Sequence, residues 1–344
     1  MPIIVGNLVE APMGILADRG WRRRLILSGG AGFALAMAVI AGAQWYWMLL
    51  AGFALFYPAS GAFVSLAQAS LMDFDPTRHE SNMARWNFAG AVGAVVGSFV
   101  IAALIAARLG WRLGFVLLAL AAVGCAIAAS RADAIHGQPA GIGESFWTSV
   151  CAALGAVRRV AVVRWLILLE AADLMLDVFT GFLAVFLVDV AHASPVVAAI
   201  AVGLRLGADL FGGLLMIPLI DRVPGRLYLR VSAAARLALF PAFLLVPWLP
   251  GRLAILVLLS VATAGWYPVL QACLYSSMPG RSGTVLTITD LFNLLGGVVP
   301  ATVGVLASQA GLPTAMWVLL ISPLLLLLGT TVLRSAPRAD SPAR

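Results

Sequence analysis

Residues 169–180 read LEAADLMLDVFT, and three carboxylates, Glu170, Asp173 and Asp177, interrupt an otherwise apolar run. On a helix turning about 100° per residue, spacings of three and four place them within a sector of about 60°. Acids so grouped can do three kinds of chemistry. They can exchange protons with water, hold a cationic solute, or neutralise nearby cations such as Arg205 and Arg236. Like charges one turn apart titrate as a coupled set. A charge at mid-bilayer costs about 2.5–3.5 kcal/mol on insertion scales, so three on one lipid-embedded helix must face protein or water. Proton coupling, cation binding and structural pairing all remain open at this point.

The surrounding elements make the bilayer argument relevant. The chain is 62% hydrophobic and 11% charged, whereas a soluble domain is about a quarter charged. Apolar runs of at least about 18 residues recur, long enough to cross a hydrocarbon core about 30 Å thick. They lack the two-residue alternation of a transmembrane barrel. The fold class expected is an all-α polytopic membrane protein. Turn signals and charges place spans near 25–43, 47–71, 84–107, 112–130, 165–189, 196–220, 230–249, 253–277, 284–307 and 314–333. The start, MPIIVGNLVE, has neither a basic n-region nor a cleavage site of a secretory signal.

The net charge of +7 raises the possibility of a nucleic-acid partner, but the placement of charge argues against it. All 22 basic residues are arginine, and 17 of them lie in the gaps at 17–24, 73–85, 131–164, 221–230 and 278–283 and in the tail. The alternate gaps hold only Arg108, Arg112 and Arg252. This positive-inside bias puts the arginine-rich loops and the C-terminus in the cytoplasm and the protein in the cell membrane. Cys125, Cys151 and Cys273 stand alone among apolar residues, as packing groups rather than a disulfide or metal set. No cofactor is implied, and a monomer in contact with membrane lipids is expected.

The sequence repeats at an offset of 203 residues: Asp18-Arg19 returns as Asp221-Arg222, Pro76 and Arg78 as Pro279 and Arg281, and Gly93 as Gly296. Two similar helical halves joined by a cytoplasmic linker form a common secondary-transporter plan. The halves are expected at 1–130 and 165–333, with a linker at 131–164 and a disordered tail at 334–344. Within the linker, Phe146, Trp147, Val150, Cys151, Leu154 and Val157 share one face, which predicts a helix lying on the membrane surface. Shifting 165–189 back by the repeat offset places its partner before residue 1. The first half therefore reads as lacking its opening helix and part of its second.

In GILADRGWRRR, residues Gly14, Asp18, Arg19, Arg22 and Arg23 resemble the G-x-x-x-D-R-x-G-R-R signature of the major facilitator superfamily. Trp21 stands where the second glycine belongs, with Gly20 one place early. LGWRLGF at 109–115 resembles the family's entry to its sixth helix, and the resemblance extends over essentially the whole chain. It implies a twelve-helix-type facilitator fold and transport of a small solute by rocking of two halves. It also implies that the signature loop is a cytoplasmic gate. Asp18 would face the positive end of the helix beginning near Thr284, and Asp73 would be a candidate partner for the arginines. Asp221 and Arg222 would be the second copy of this gate. Two efflux signatures match poorly, because the 47–71 helix has no arginine and Ser98 replaces a proline in GAVGAVVGSF. The direction of transport stays open.

Other polar groups fall on helical faces. Tyr57, Gly61, Ser65 and Gln68 share one stripe, and Tyr267, Gln271 and Tyr275 another. Hydroxyls and amides are costly against lipid, so both stripes are candidates for lining a solute cavity. Arg205 and Asp209, four apart, read as an ion pair, and Asp290 and Asn293 as packing or gating groups. Two other classes compete with transport. Asp73, Asp75, His79 and Glu80 could hold a divalent metal for a lipid-cleaving enzyme, and the chain could be a non-transporting descendant of a transporter.

Overall fold

The structure is a computed structural model that describes residues 10, 12–132, 155, 158–296 and 298–331. The expected surface helix at 146–157, the tail from 334 and Cys151 lie outside the described residues. Ten helices among the described residues are long and apolar enough to cross a membrane. They are α1 (Pro12–Ala41), α2 (Tyr46–Phe74), α3 (Pro76–Leu104), α4 (Gly110–Ser130), α5 (Val160–Asp189), α6 (Pro195–Ile220), α7 (Gly225–Leu245), α8 (Leu249–Ser276), α9 (Ser282–Ala310) and α10 (Leu312–Thr331). All ten expected spans are present. The largest difference is at the first. Residues 17–24, expected as a loop, are helical on both sides of a break at Gly20, whose φ of 98° suits glycine.

The chain divides into two compact units, one drawn from Met1–Val163 with Ala272–Gly297, the other from Arg164–Gln271 with Val298–Arg344. In the first, α1 packs along both α2 and α4. The run SGGAGFA permits this, because a Cβ on Gly29 would lie 2.7 Å from the Ala62 Cβ and one on Gly30 2.9 Å from the Ala126 Cβ. Small residues let backbones approach where lipid supplies no hydrophobic drive between helices. Phe33 fills the remaining space against Phe56 and Phe63. Arg112, at the start of α4, donates to the Ala43 carbonyl at 2.8 Å and so ties α4 to the α1–α2 turn.

In the second unit, Phe179 and Phe186 of α5 meet Phe240 and Phe243 of α7, with ring centroids 5.3–5.7 Å apart. Gly212 of α6 lies against Val261 and Ala264 of α8. Helix α8 is interrupted near Gly265, and the Tyr228 hydroxyl closes the break. It donates to the Ala262 carbonyl at 2.7 Å and accepts from the Gly265 amide at 3.0 Å.

Besides the broken π-helical stretch at Ala17–Trp21 in α1, wide π-helical turns occur at Gly61–Ser65 in α2 and at Leu174–Val178 in α5. Such turns add a residue to the helix and tend to occur where a chain carries function. They also rotate the remainder of the helix about its axis. The stripe from Tyr57 to Gln68, drawn for a regular helix, is therefore displaced across Gly61–Ser65. The sector holding Glu170, Asp173 and Asp177 is altered in the same way at Asp177.

Candidate functional site

Two groups of polar side chains stand out, one in each unit. The first is built on the signature residues. Helices α1 and α9 cross at Gly14 and Gly283 so closely that a Cβ on Gly14 would sit 2.2 Å from the Gly283 carbonyl oxygen. The Gly20 break follows one turn later and leaves Asp18 over the first turn of α9. Its carboxylate accepts from the Gly283 amide at 2.9 Å, the Thr284 amide at 2.7 Å and the Thr284 hydroxyl at 2.8 Å. These amides have no partner within their own helix, and the positive end of the helix dipole favours the anion. Only 7% of Asp18 is exposed, so little water competes.

Arg22 completes this group. Its guanidinium donates to Asp18 at 3.0 Å and to the Ser282 hydroxyl at 3.0 Å, and forms an ion pair with Asp73 at 2.7 Å. Arg22 is thus one of the signature arginines that reaches Asp73. Arg23 is exposed and reaches the Ser130 carbonyl at 3.4 Å, and Arg19 is half-buried. Asp221 and Arg222, the second copy, are both exposed. Among the described residues neither makes an ion pair.

The four residues read as a possible metal cluster do not converge. Asp73 serves Arg22 and Ser282, and Asp75 accepts from the amide and hydroxyl of Thr77 at 3.2 and 2.6 Å. His79 bonds the Met72 carbonyl at 3.0 Å and Ser276 at 2.8 Å. Among the described residues no three metal-ligating groups come together. Asp75 and His79 thus bond helix ends, and Asp73 pairs with an arginine.

The second group surrounds the wide turn of α5. Asp173 and Glu170 are half-buried and Asp177 exposed, and Asp173 is within electrostatic reach of both. Arg205 of α6 pairs with Asp209 at 3.4 Å, as the spacing predicts. It also donates to the Leu176 carbonyl at 3.2 Å and to the Thr180 hydroxyl, so it braces the wide turn from outside. Arg236 of α7 is 1% exposed and donates to the Leu259 carbonyl and the Thr263 hydroxyl, both at 3.1 Å, and to the Met175 sulfur at 3.2 Å. Phe179, Phe240 and Trp266 present their rings to its guanidinium. Among the described residues no ion pair joins Asp173 or Asp177 to either arginine.

The cavity candidates divide by unit. In the first, Tyr57, Ser65 and Gln68 are half-buried and Tyr275 is buried. In the second, Tyr267 is half-buried, and Gln271 is buried with its carbonyl oxygen lacking a partner among the described residues.

The sequence profile of the Major Facilitator Superfamily matches residues 2–301. The chain belongs to the major facilitator superfamily. Solved structures agree in fold. The E. coli fucose:proton symporter FucP is 16% identical with a TM-score of 0.78, over 96% of this chain and 88% of that one. The human organic anion transporter MFSD10 is 20% identical with a TM-score of 0.71, covering 97% and 82%. The proton:xylose symporter XylE, bound to 6-bromo-6-deoxy-D-glucose, is 14% identical with a TM-score of 0.71, covering 95% and 83%. No curated protein is matched by sequence. This facilitator is thus a multi-pass α-helical membrane protein of a transporter family.

Sequence reading passes over two features of the facilitator's polar framework. Glu10 lies within electrostatic reach of Asp290, which is buried with one carboxylate oxygen unpartnered among the described residues. Gly61 makes room for it, since a Cβ there would lie 2.0 Å from the Glu10 carboxyl carbon. An acid in the apolar stretch NLVEAPMG was the available signal. The bond between His79 and Ser276 was the other omission, because no motif links residues so far apart in sequence. Asn293, grouped with Asp290 from sequence, is exposed.

Proposed function

We propose that this facilitator is a proton-coupled secondary transporter of a small solute, in which Glu170, Asp173 and Asp177 exchange the coupling proton. One observation carries the reading. Asp173 sits beside two other carboxylates at the wide turn of α5, and the neighbouring arginines spend their hydrogen bonds elsewhere. A carboxyl without a fixed counter-ion is free to gain and lose a proton as access alternates between the two sides. Asp18, Arg22, Gly14 and Gly283 form the latch that holds the cytoplasmic side shut, with Arg19 and Arg23 near lipid phosphates. Asp221 and Arg222 belong to the second copy of that latch. Tyr57, Ser65, Gln68, Tyr267, Gln271 and Tyr275 supply hydroxyls and amides for solute recognition. The arginine-rich loops place the latch and the C-terminus in the cytoplasm, and the protein acts in the cell membrane as a monomer.

The fold neighbours include a fucose:proton symporter, a proton:xylose symporter and an organic anion transporter. They set the panel for the test: purified protein in proteoliposomes, radiolabelled monosaccharides and small organic ions, with and without an imposed pH gradient. The parent accumulates a solute when the gradient is present. Asp173→Asn and Asp177→Asn, singly and together, retain exchange of that solute but lose accumulation. Unchanged gradient dependence in all three variants would falsify the coupling role. Loss of binding for a cationic solute alone would reassign the acids to its recognition.

A further inference from the structure

Two side-chain hydrogen bonds join the α2–α3 corner to the α8–α9 corner. Ser282 donates to Asp73, and Ser276 bonds His79 Nδ1 at 2.8 Å. The repeat relates these bonds to each other. Asp73 displaced by 203 residues is Ser276, and His79 displaced by the same offset is Ser282. Exchanging the two repeats therefore converts one bond into the other, as expected of a self-complementary contact about a pseudo-twofold axis. The residue types are not preserved, acid with hydroxyl in one copy and imidazole with hydroxyl in the other, so no motif marks the pair.

The chemistry of the second bond is fixed by its surroundings. His79 Nε2 faces the Met72 carbonyl, which can only accept, so Nε2 carries the proton. Nδ1 then accepts from the Ser276 hydroxyl. His79 is buried and Ser276 exposed. The imidazole is thus anchored within the first repeat by its bond to α2, while its other nitrogen reaches the second repeat. A motion that parts the repeats at this end breaks the Ser276 bond and leaves the Met72 bond intact.

We propose that His79 and Ser276 form a second clasp of the cytoplasmic gate, the repeat-related twin of the Asp73–Ser282 clasp, with His79 as its positioning residue. This rests on the reading of Asp18 and Arg22 as the latch of that gate.

The test uses purified full-length protein in detergent micelles with Cys125, Cys151 and Cys273 replaced by alanine. Thr287→Cys is the reporter, since Thr287 is buried against Gly14 at the α1–α9 crossing. N-ethylmaleimide labelling reports how often that crossing parts. His79→Ala and Ser276→Ala each raise the labelling rate about 2- to 10-fold, the range expected for one hydrogen bond. Combined, they raise it no further than the larger single effect, because both remove the same bond. Ser276→Asp with His79→Ser transplants the acid–hydroxyl pair of the other copy and returns the rate toward the parent value. Unchanged rates in both alanine variants, or additive effects in the pair, overturn the proposal. If His79→Ala does not fold, Ser276→Ala at its exposed site and the transplanted pair decide by the same readings. Asp18→Asn separates the two claims. If it too leaves labelling unchanged, the latch reading fails. If it raises labelling while the His79 and Ser276 variants do not, only the clasp fails.

Discussion

Thr284 donates twice to one oxygen of Asp18, from its amide at 2.7 Å and from its hydroxyl at 2.8 Å. Side chain and backbone of a single residue thus converge on one buried carboxylate from another helix. Bonds to an ionised acceptor are shorter and about twice as strong as neutral ones, and a helix N-terminus adds to this. The arrangement separates two contributions that mutation can remove individually.

Asp18→Asn removes the charge and offers the α9 amides only one acceptor. Hydrogen exchange at Gly283 and Thr284 is expected to accelerate about 10- to 100-fold, in line with about 1.5–3 kcal/mol for a charged hydrogen bond. Thr284→Val removes the hydroxyl donor and keeps the amide, so exchange at Gly283 should rise less than about tenfold. Mass spectrometry of a peptide covering 280–290 measures both. Equal effects would mean that the helix end does not hold the carboxylate.

The Gly14–Gly283 contact predicts a strict size limit. Each glycine's added Cβ would meet the other's carbonyl oxygen, at 2.2 and 2.1 Å, and backbone cannot rotate away as a side chain can. Gly14→Ala should lower stability by about 1–3 kcal/mol, the cost of overpacking a close contact. Gly93→Ala and Gly97→Ala have nothing within 4 Å and serve as neutral controls. Denaturant unfolding followed by tryptophan fluorescence compares them.

Much of this fold was legible because bilayer thickness demands long apolar runs and arginines gather in alternate gaps. The Arg205–Asp209 pair was readable too, from its four-residue spacing. The wide turns at 61–65 and 174–178 were not, since an inserted residue leaves no compositional mark in an apolar helix. They matter because every stripe drawn at constant pitch is displaced beyond them. The arginines of segment 17–24 suggest a loop, although one glycine at φ 98° lets helix continue on both sides. The contacts of Ser276, Ser282 and Arg236 depend on helices far apart in the chain, and short polar residues in apolar runs do not announce a partner.

Arg236 tests how a buried cation is held where, among the described residues, no carboxylate pairs with it. Its fork spans the Leu259 carbonyl, the Thr263 hydroxyl and the Met175 sulfur, with three aromatic rings around it. Lysine keeps the charge but is a compact point donor that cannot bridge three acceptors or stack as a plane. Arg236→Lys should therefore destabilise by about 1–3 kcal/mol, the range for disrupting a buried polar network. Thermal unfolding in detergent at fixed pH measures this. A neutral Arg236→Lys would show that charge alone, with no planar geometry, suffices at this position.

Arg205 and Asp209 make an ion pair at 3.4 Å whose aspartate side chain keeps 33% of its surface exposed. The Arg205 side chain is only 6% exposed, but water can take the place of the partly exposed aspartate, so Asp209→Ala should cost about 1 kcal/mol. Arg205 has further partners, the Leu176 carbonyl within the wide turn and the Thr180 hydroxyl just after it. Its removal leaves those groups without a donor from α6 and frees the turn. Arg205→Ala should therefore cost clearly more than Asp209→Ala, by about 1–3 kcal/mol. The double variant should resemble Arg205→Ala alone, because the pair itself carries little of the difference. Chemical unfolding of the four proteins closes the cycle. Equal losses in the two single variants, recovered in the double, would reduce Arg205 to a simple counter-ion. A larger arginine effect, with faster hydrogen exchange across 174–180, would identify it as the brace that holds the acidic turn in shape.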